Sequence, residues 1–190
     1  EILIGLVGSE MCIRDRCRIN GSSYAYEIKT EYDTFDRLGS QMQDYLRTFE
    51  KVYVIVPIGR VNDVKNLIPE SCGIISYRIT KNREVVFSYQ KCAQKNCCDI
   101  KFCLDSLSSG DMSYLLKLLN EKDFKTRADK RTRLLQIAAT RSIWTPYRKL
   151  LRHKYADQWR FITEHFDQIL PVDIQSFFSS KMDPNLLYAK

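Results

Sequence analysis

Two histidines, five prolines and seven glycines in 190 residues set the first limits. So few turn formers, with no short repeat, exclude collagen, linker-rich disorder and solenoid arrays. No apolar run approaches the ~20 residues needed to cross a bilayer, which excludes a membrane-spanning protein. The histidines, His153 and His165, stand late in the chain without a neighbour that suggests a catalytic dyad, and read as structural or solvated. A convincing signal peptide is missing too. The seven cysteines are an odd number at irregular spacing, so the expected setting is a reduced, cytoplasmic one. Lys and Arg number 30 against 23 Asp and Glu, a formal charge of +7, modest enough that its distribution matters more than its sum.

Residues 1–16 read as foreign to the rest. Leu6 to Asp15 translate back, codon by codon and without a gap, into a transposase adapter of a common sequencing library, and Arg16 continues it. The expectation is therefore an adapter-derived segment over 1–16, with native sequence from about Cys17 and the natural start missing. The alternative is a genuine apolar strand over residues 2–7.

From Cys17 onward the chain divides in two. Asn20-Gly21 supports the positive φ of a tight hairpin. Residues 24–30 alternate, with Tyr24, Tyr26 and Ile28 on one face and Ala25, Glu27 and Lys29 on the other. Phe35, Leu38, Met42, Tyr45, Leu46 and Phe49 recur at helical spacing after Asp33 and Thr34, either of which could cap a helix. Residues 52–58 form a β-branched apolar run suited to a strand buried on both faces. A short helix over 61–67 and strands over 73–79 and 85–89 complete a mixed α/β core over 17–105. Beyond it, 106–190 reads as a basic helical appendage, with helices near 112–120, 130–142, 146–166 and 173–179. Residues 106–110 are the best linker candidate.

Glu27 and Lys29 put a carboxylate and an ammonium side by side on one strand face. In a metal-dependent nuclease the carboxylate would hold Mg²⁺ and the lysine would orient the attacking water. Alone the pattern is weak, and a surface strand with an ion pair explains it better. Gln41 and Tyr45 follow at i and i+4 on one helix face, and Asp15 precedes Glu27 with eleven residues between them.

Asp-x(11)-Glu-x-Lys followed by Gln-x-x-x-Tyr resembles the PD-(D/E)xK phosphodiesterases, the restriction-endonuclease-like superfamily. Ile19-Asn20-Gly21, residues 26–30, residues 33–35, Arg37-Leu38, Gln41 and Tyr45 resemble a family of small bacterial proteins of that fold. The resemblance covers roughly 17–80. It implies a truncated restriction-endonuclease-like mixed sheet flanked by helices. Asp15 and Glu27 would be ligands of Mg²⁺ or Mn²⁺, with Lys29, Gln41 and Tyr45 at the catalytic site of a DNA-cleaving enzyme. The rival is a module of the same fold without turnover, binding nucleic acid or a partner in DNA repair or phage-related defence.

Two further features compete for a role. Cys92, Cys97, Cys98 and Cys103 crowd together but lack a Cys-x-x-Cys knuckle, so zinc is disfavoured against reduced cysteines in a loop. Between Lys122 and Arg160 twelve basic residues face three acidic ones, with Trp144, Tyr147, Tyr155 and Trp159 interleaved. The aromatics are expected to pack inward. Lys125, Arg127, Lys130, Arg131, Arg133, Arg148, Lys149 and Arg152 are expected to face DNA. Oligomeric state has no signal in these patterns.

Overall fold

The computed structural model describes residues 2–4 and 16–165. Asp15 and the helix expected over 173–179 lie outside them. Six strands form one mixed sheet in chain order: β1 (Ile2–Ile4), β2 (Arg16–Asn20), β3 (Ser22–Ile28), β4 (Lys51–Pro57), β5 (Gly73–Ile79) and β6 (Val85–Lys91). β3, β4 and β5 run parallel; β1, β2 and β6 are antiparallel to their neighbours. Gly21, at φ +69°, supplies the left-handed residue that the β2–β3 hairpin requires. Gly73 is fixed differently: a Cβ there would collide with the Tyr53 ring.

One face of this sheet carries the core. Ala25, Val52, Val54, Val56 and Ile74 project to the side covered by α1 (Leu38–Thr48) and α2 (Val61–Lys65), where Leu38, Met42, Val61 and Val64 meet them. The alternation expected over 24–30 holds, since Ala25, Glu27 and Lys29 are buried while Tyr24, Tyr26 and Ile28 are half-buried on the other face. That second face holds a smaller cluster of Tyr53, Ile75 and Ala93 against Tyr24, Tyr26 and Ile55.

A second core belongs to the helices: α3 (Ile100–Asp105), α4 (Ser109–Leu118), α5 (Arg127–Thr140), α6 (Trp144–Lys154) and α7 (Ala156–Glu164). Cys103, Leu104, Met112, Leu115, Leu134, Ile137, Tyr147 and Leu150 fill it. The candidate linker over 106–110 is a turn of three residues, 106–108, between α3 and α4, running into the first residues of α4. Ser108 accepts a hydrogen bond from the Asp111 N–H while the Asp111 carboxylate accepts one from the Ser108 N–H, a reciprocal cap. The single helix expected over 146–166 is two helices with a break at Tyr155, whose ring packs against the sheet core. Among the described residues no helix is long and apolar enough to cross a membrane.

The two cores are joined at Glu50, between α1 and β4. Its Oε2 accepts from the Ser23 N–H at 2.9 Å and from Arg148 Nη1 of α6 at 2.9 Å, and Lys95 Nζ lies 3.3 Å from its Oε1. Burial works to raise this carboxyl, but the Ser23 N–H and the Arg148 and Lys95 charges outweigh it and hold Glu50 below its ordinary value.

Candidate functional site

β3 delivers Glu27 and Lys29 to the helix-covered face of the sheet, two residues apart, and α1 delivers Gln41 and Tyr45 one turn apart onto the same spot. All four meet. Tyr45 Oη donates to Glu27 Oε2 at 2.8 Å, and Lys29 Nζ donates to Gln41 Oε1 at 3.0 Å. Lys29 Nζ also lies 2.7 Å from Glu27 Oε1, although off the line of a hydrogen bond, so that oxygen has an ion-pair contact and no bonded proton. Glu27 is 0% exposed and Lys29 8%. Charges removed from water this far are held only by such partners, because an isolated buried charge costs several kcal/mol.

The loop leaving β3 is fixed over this cluster. Asp33 Oδ2 accepts from the Thr30 N–H and from Thr30 Oγ1, both at 2.6 Å. Asp33 therefore closes its own loop rather than capping α1, whose N-cap residue is Arg37, without a side-chain cap. Arg60, in a 3₁₀ turn (Ile58–Arg60) after β4, donates to the carbonyls of Thr30, Glu31 and Asp33 at 3.2, 3.1 and 2.7 Å. Its guanidinium stacks 3.9 Å above the Phe35 ring. No sequence pattern marks Arg60; its role comes from the parallel β3–β4 pairing, which brings the ends of the two strands together.

Mg²⁺ and Mn²⁺ prefer several oxygen ligands, and among the described residues the cluster offers a single carboxylate, with Tyr45 on one oxygen and the Lys29 ammonium against the other. Asp15, the expected second ligand, lies outside the described residues. Among those described, no group of three or more His, Cys, Asp or Glu could hold a metal. The cysteines follow their surroundings. Burial pushes the Cys98 thiol up to about 12 and the Cys103 thiol to about 11, so both stay protonated near neutrality, while Cys92 and Cys97 are exposed.

The basic helices are far less free than their sequence suggests. Arg127 donates to the carbonyls of Asp105 and Leu107. Lys130 is buried and donates to Ser109 and Ser113 hydroxyls, with Asp123 3.6 Å away. Arg131 grips Asp105 through two bonds of 2.5 and 3.0 Å, Arg133 pairs with Glu121 at 2.7 Å, and Arg148 is spent on Glu50. Five of the eight expected DNA-facing residues thus tie the helices together. Lys125, Lys149 and Arg152 remain exposed, with no hydrogen bond or ion pair among the described residues.

The fold so described is a mixed α/β protein with a buried strand–helix ion-pair cluster and a helical half clamped to it. Comparison with known proteins places it further. The family model described as bacteriophage P4 protein cII matches residues 7–177, and the chain belongs to that family. Protein cII of Enterobacteria phage P4 is 29% identical over 68 residues, 36% of this chain and 25% of the phage protein, so the aligned part spans about a quarter of that relative's length. No solved structure matches. The family match corrects the expectation drawn from the PD-(D/E)xK resemblance: the chain's family is phage P4 protein cII, and the nuclease and hydrolase readings fall with that resemblance. Glu-x-Lys and Gln-x-x-x-Tyr are short enough to arise wherever a buried strand pair is locked to a helix.

Proposed function

We propose that this chain is a nucleic-acid-binding module that acts by binding DNA, without turnover. The observation carrying the reading is the trio Lys125, Lys149 and Arg152, exposed cations with no ion pair among the described residues, whereas Lys130, Arg131, Arg133 and Arg148 of the set are paired with carboxylates and Arg127 is bonded to backbone carbonyls. Unpaired surface cations attract a polyanion by releasing its condensed counterions, which requires no base contact.

In this reading the Glu27–Lys29–Gln41–Tyr45 cluster is a scaffold. It fixes α1 on the sheet, and through Glu50 and Arg148 the sheet positions α6, which carries Lys149 and Arg152. The test uses fluorescence anisotropy with labelled duplex and single-stranded DNA. Lys149→Glu with Arg152→Glu is expected to weaken binding at least tenfold, while Glu27→Gln leaves the affinity of the folded protein unchanged. Affinity lost in folded Glu27→Gln but retained in the charge reversals would move the binding site to the cluster and overturn the proposal.

A further inference from the structure

β6 is the last strand of the sheet, and all of Val85–Gln90 is exposed. Among the described residues nine large apolar side chains are exposed, and five of them, Ile79, Val85, Val86, Phe87 and Tyr89, belong to the β5–β6 hairpin. Edge strands are normally protected from pairing by an inward charge, a proline or a bulge in mid-strand. Val85-Val86-Phe87-Ser88-Tyr89-Gln90 has no charge and no proline, and its pairing with β5 is regular from Val85 to Tyr89, with a register shift only at the end of the strand, at Gln90.

The distribution of apolar side chains selects the shape of the occupant. Phe87 lies on the sheet face away from α1, beside Tyr77, and is 60% exposed; Val86 lies on the opposite face and is 36% exposed. A flat ligand on one face of the sheet would leave the other uncovered. An added strand covers both and also takes up the backbone N–H and C=O groups that point away from β5.

The sequence of β6 selects which strand. Two copies of β6, antiparallel about a two-fold axis through Ser88, pair across the regular stretch of the strand, with the register shift at Gln90 at its end. Phe87 stands opposite the partner's Tyr89 twice, on the same sheet face. Aromatic cross-strand pairs of this type stabilise an antiparallel ladder, and no like charges are opposed. The alternatives that keep each face continuous differ by two residues. Centring on Phe87 leaves Tyr89 opposite the partner's Val85, and centring on Tyr89 leaves Phe87 opposite the partner's Lys91, so only the axis through Ser88 gives both aromatics of each copy an aromatic partner from the other residue type.

We infer that β6 is a self-pairing edge through which two copies of this chain form a two-fold dimer with one continuous twelve-stranded sheet. An isologous contact closes at two copies and does not propagate. It is small for a protein interface, so the dimer is a concentration-dependent one.

The experiment is sedimentation equilibrium of the full chain over a wide concentration range, with reductant to keep the exposed Cys92 and Cys97 from cross-linking. It is joined to hydrogen exchange read on the peptide spanning Val85–Lys91. The wild type is expected to pass from monomer to dimer, with β6 gaining protection over the same range. Val86→Lys and Phe87→Lys, one on each face and both at exposed sites, are expected to stay monomeric at every concentration with unchanged circular dichroism. Tyr32→Lys, at an exposed apolar side chain away from the edge, is expected to dimerise like wild type. A wild type that is monomeric throughout, whatever else it binds, overturns the inference. So does a dimer that survives both lysine substitutions or forms without protection of β6.

Discussion

Lys29 has two functions within 3.0 Å: it neutralises Glu27 and it satisfies Gln41. Removing it leaves a fully buried carboxylate without a counter-charge. Lys29→Ala is therefore expected to cost about 3–5 kcal/mol, read from urea unfolding. Replacing the pair together, Glu27→Gln with Lys29→Met, is expected to recover most of that loss, because an uncharged pair of similar volume needs no compensation. A double variant as unstable as Lys29→Ala would show that the pair does more than balance its own burial. The four-residue cluster was legible in the sequence because two local periodicities, two along the strand and four along the helix, point its members to a common face. Arg60 was not, since its three carbonyl partners lie about thirty residues earlier and nothing local announces them. The chemistry of the cluster was not legible either. Residue types and spacing specify proximity, and proximity in a buried strand–helix contact serves packing as well as catalysis.

At the level of elements, Glu50 is where the sheet meets α6. Its carboxyl is held below the ordinary value in the folded chain, so its contribution is fully present above the unfolded value of ~4.3 and fades as pH falls through the lowered folded value. Thermal unfolding between pH 6 and 3 is expected to show wild type losing stability on acidification more steeply than Glu50→Gln; parallel profiles would contradict this account. Arg148→Ala is expected to cost about 2 kcal/mol, below the range for a fully buried pair because Lys95 stays beside the carboxylate. The strands and α1 were readable from periodicity. The break between α6 and α7 was not, because helical spacing continues through Tyr155 and only its packing on the sheet core ends the helix there. The start of α4 was written in Ser108-x-x-Asp111, where a cluster of small residues masked a capping box.

Over the whole molecule, charge is where sequence and structure part. Twelve basic against three acidic residues between Lys122 and Arg160 described a strongly positive stretch. Its counter-charges stand outside that stretch, at Glu50, Asp105, Asp111 and Glu121, and the fold brings them to Arg148, Arg131, Lys154 and Arg133. Charge along a sequence is not charge in space, and no single window could have separated the cations that bind helices together from those left over. The leftover cations and the bare edge of β6 are the surfaces on which the proposed DNA and dimer contacts rest. The most direct measurement of the DNA-binding claim is the salt dependence of duplex binding by wild type and by Lys125→Ala, Lys149→Ala and Arg152→Ala. Log affinity is expected to fall linearly with log salt, and each substitution to lower the magnitude of the slope by about 1. Binding that is absent at low salt, or a slope that none of the three substitutions changes, would contradict it.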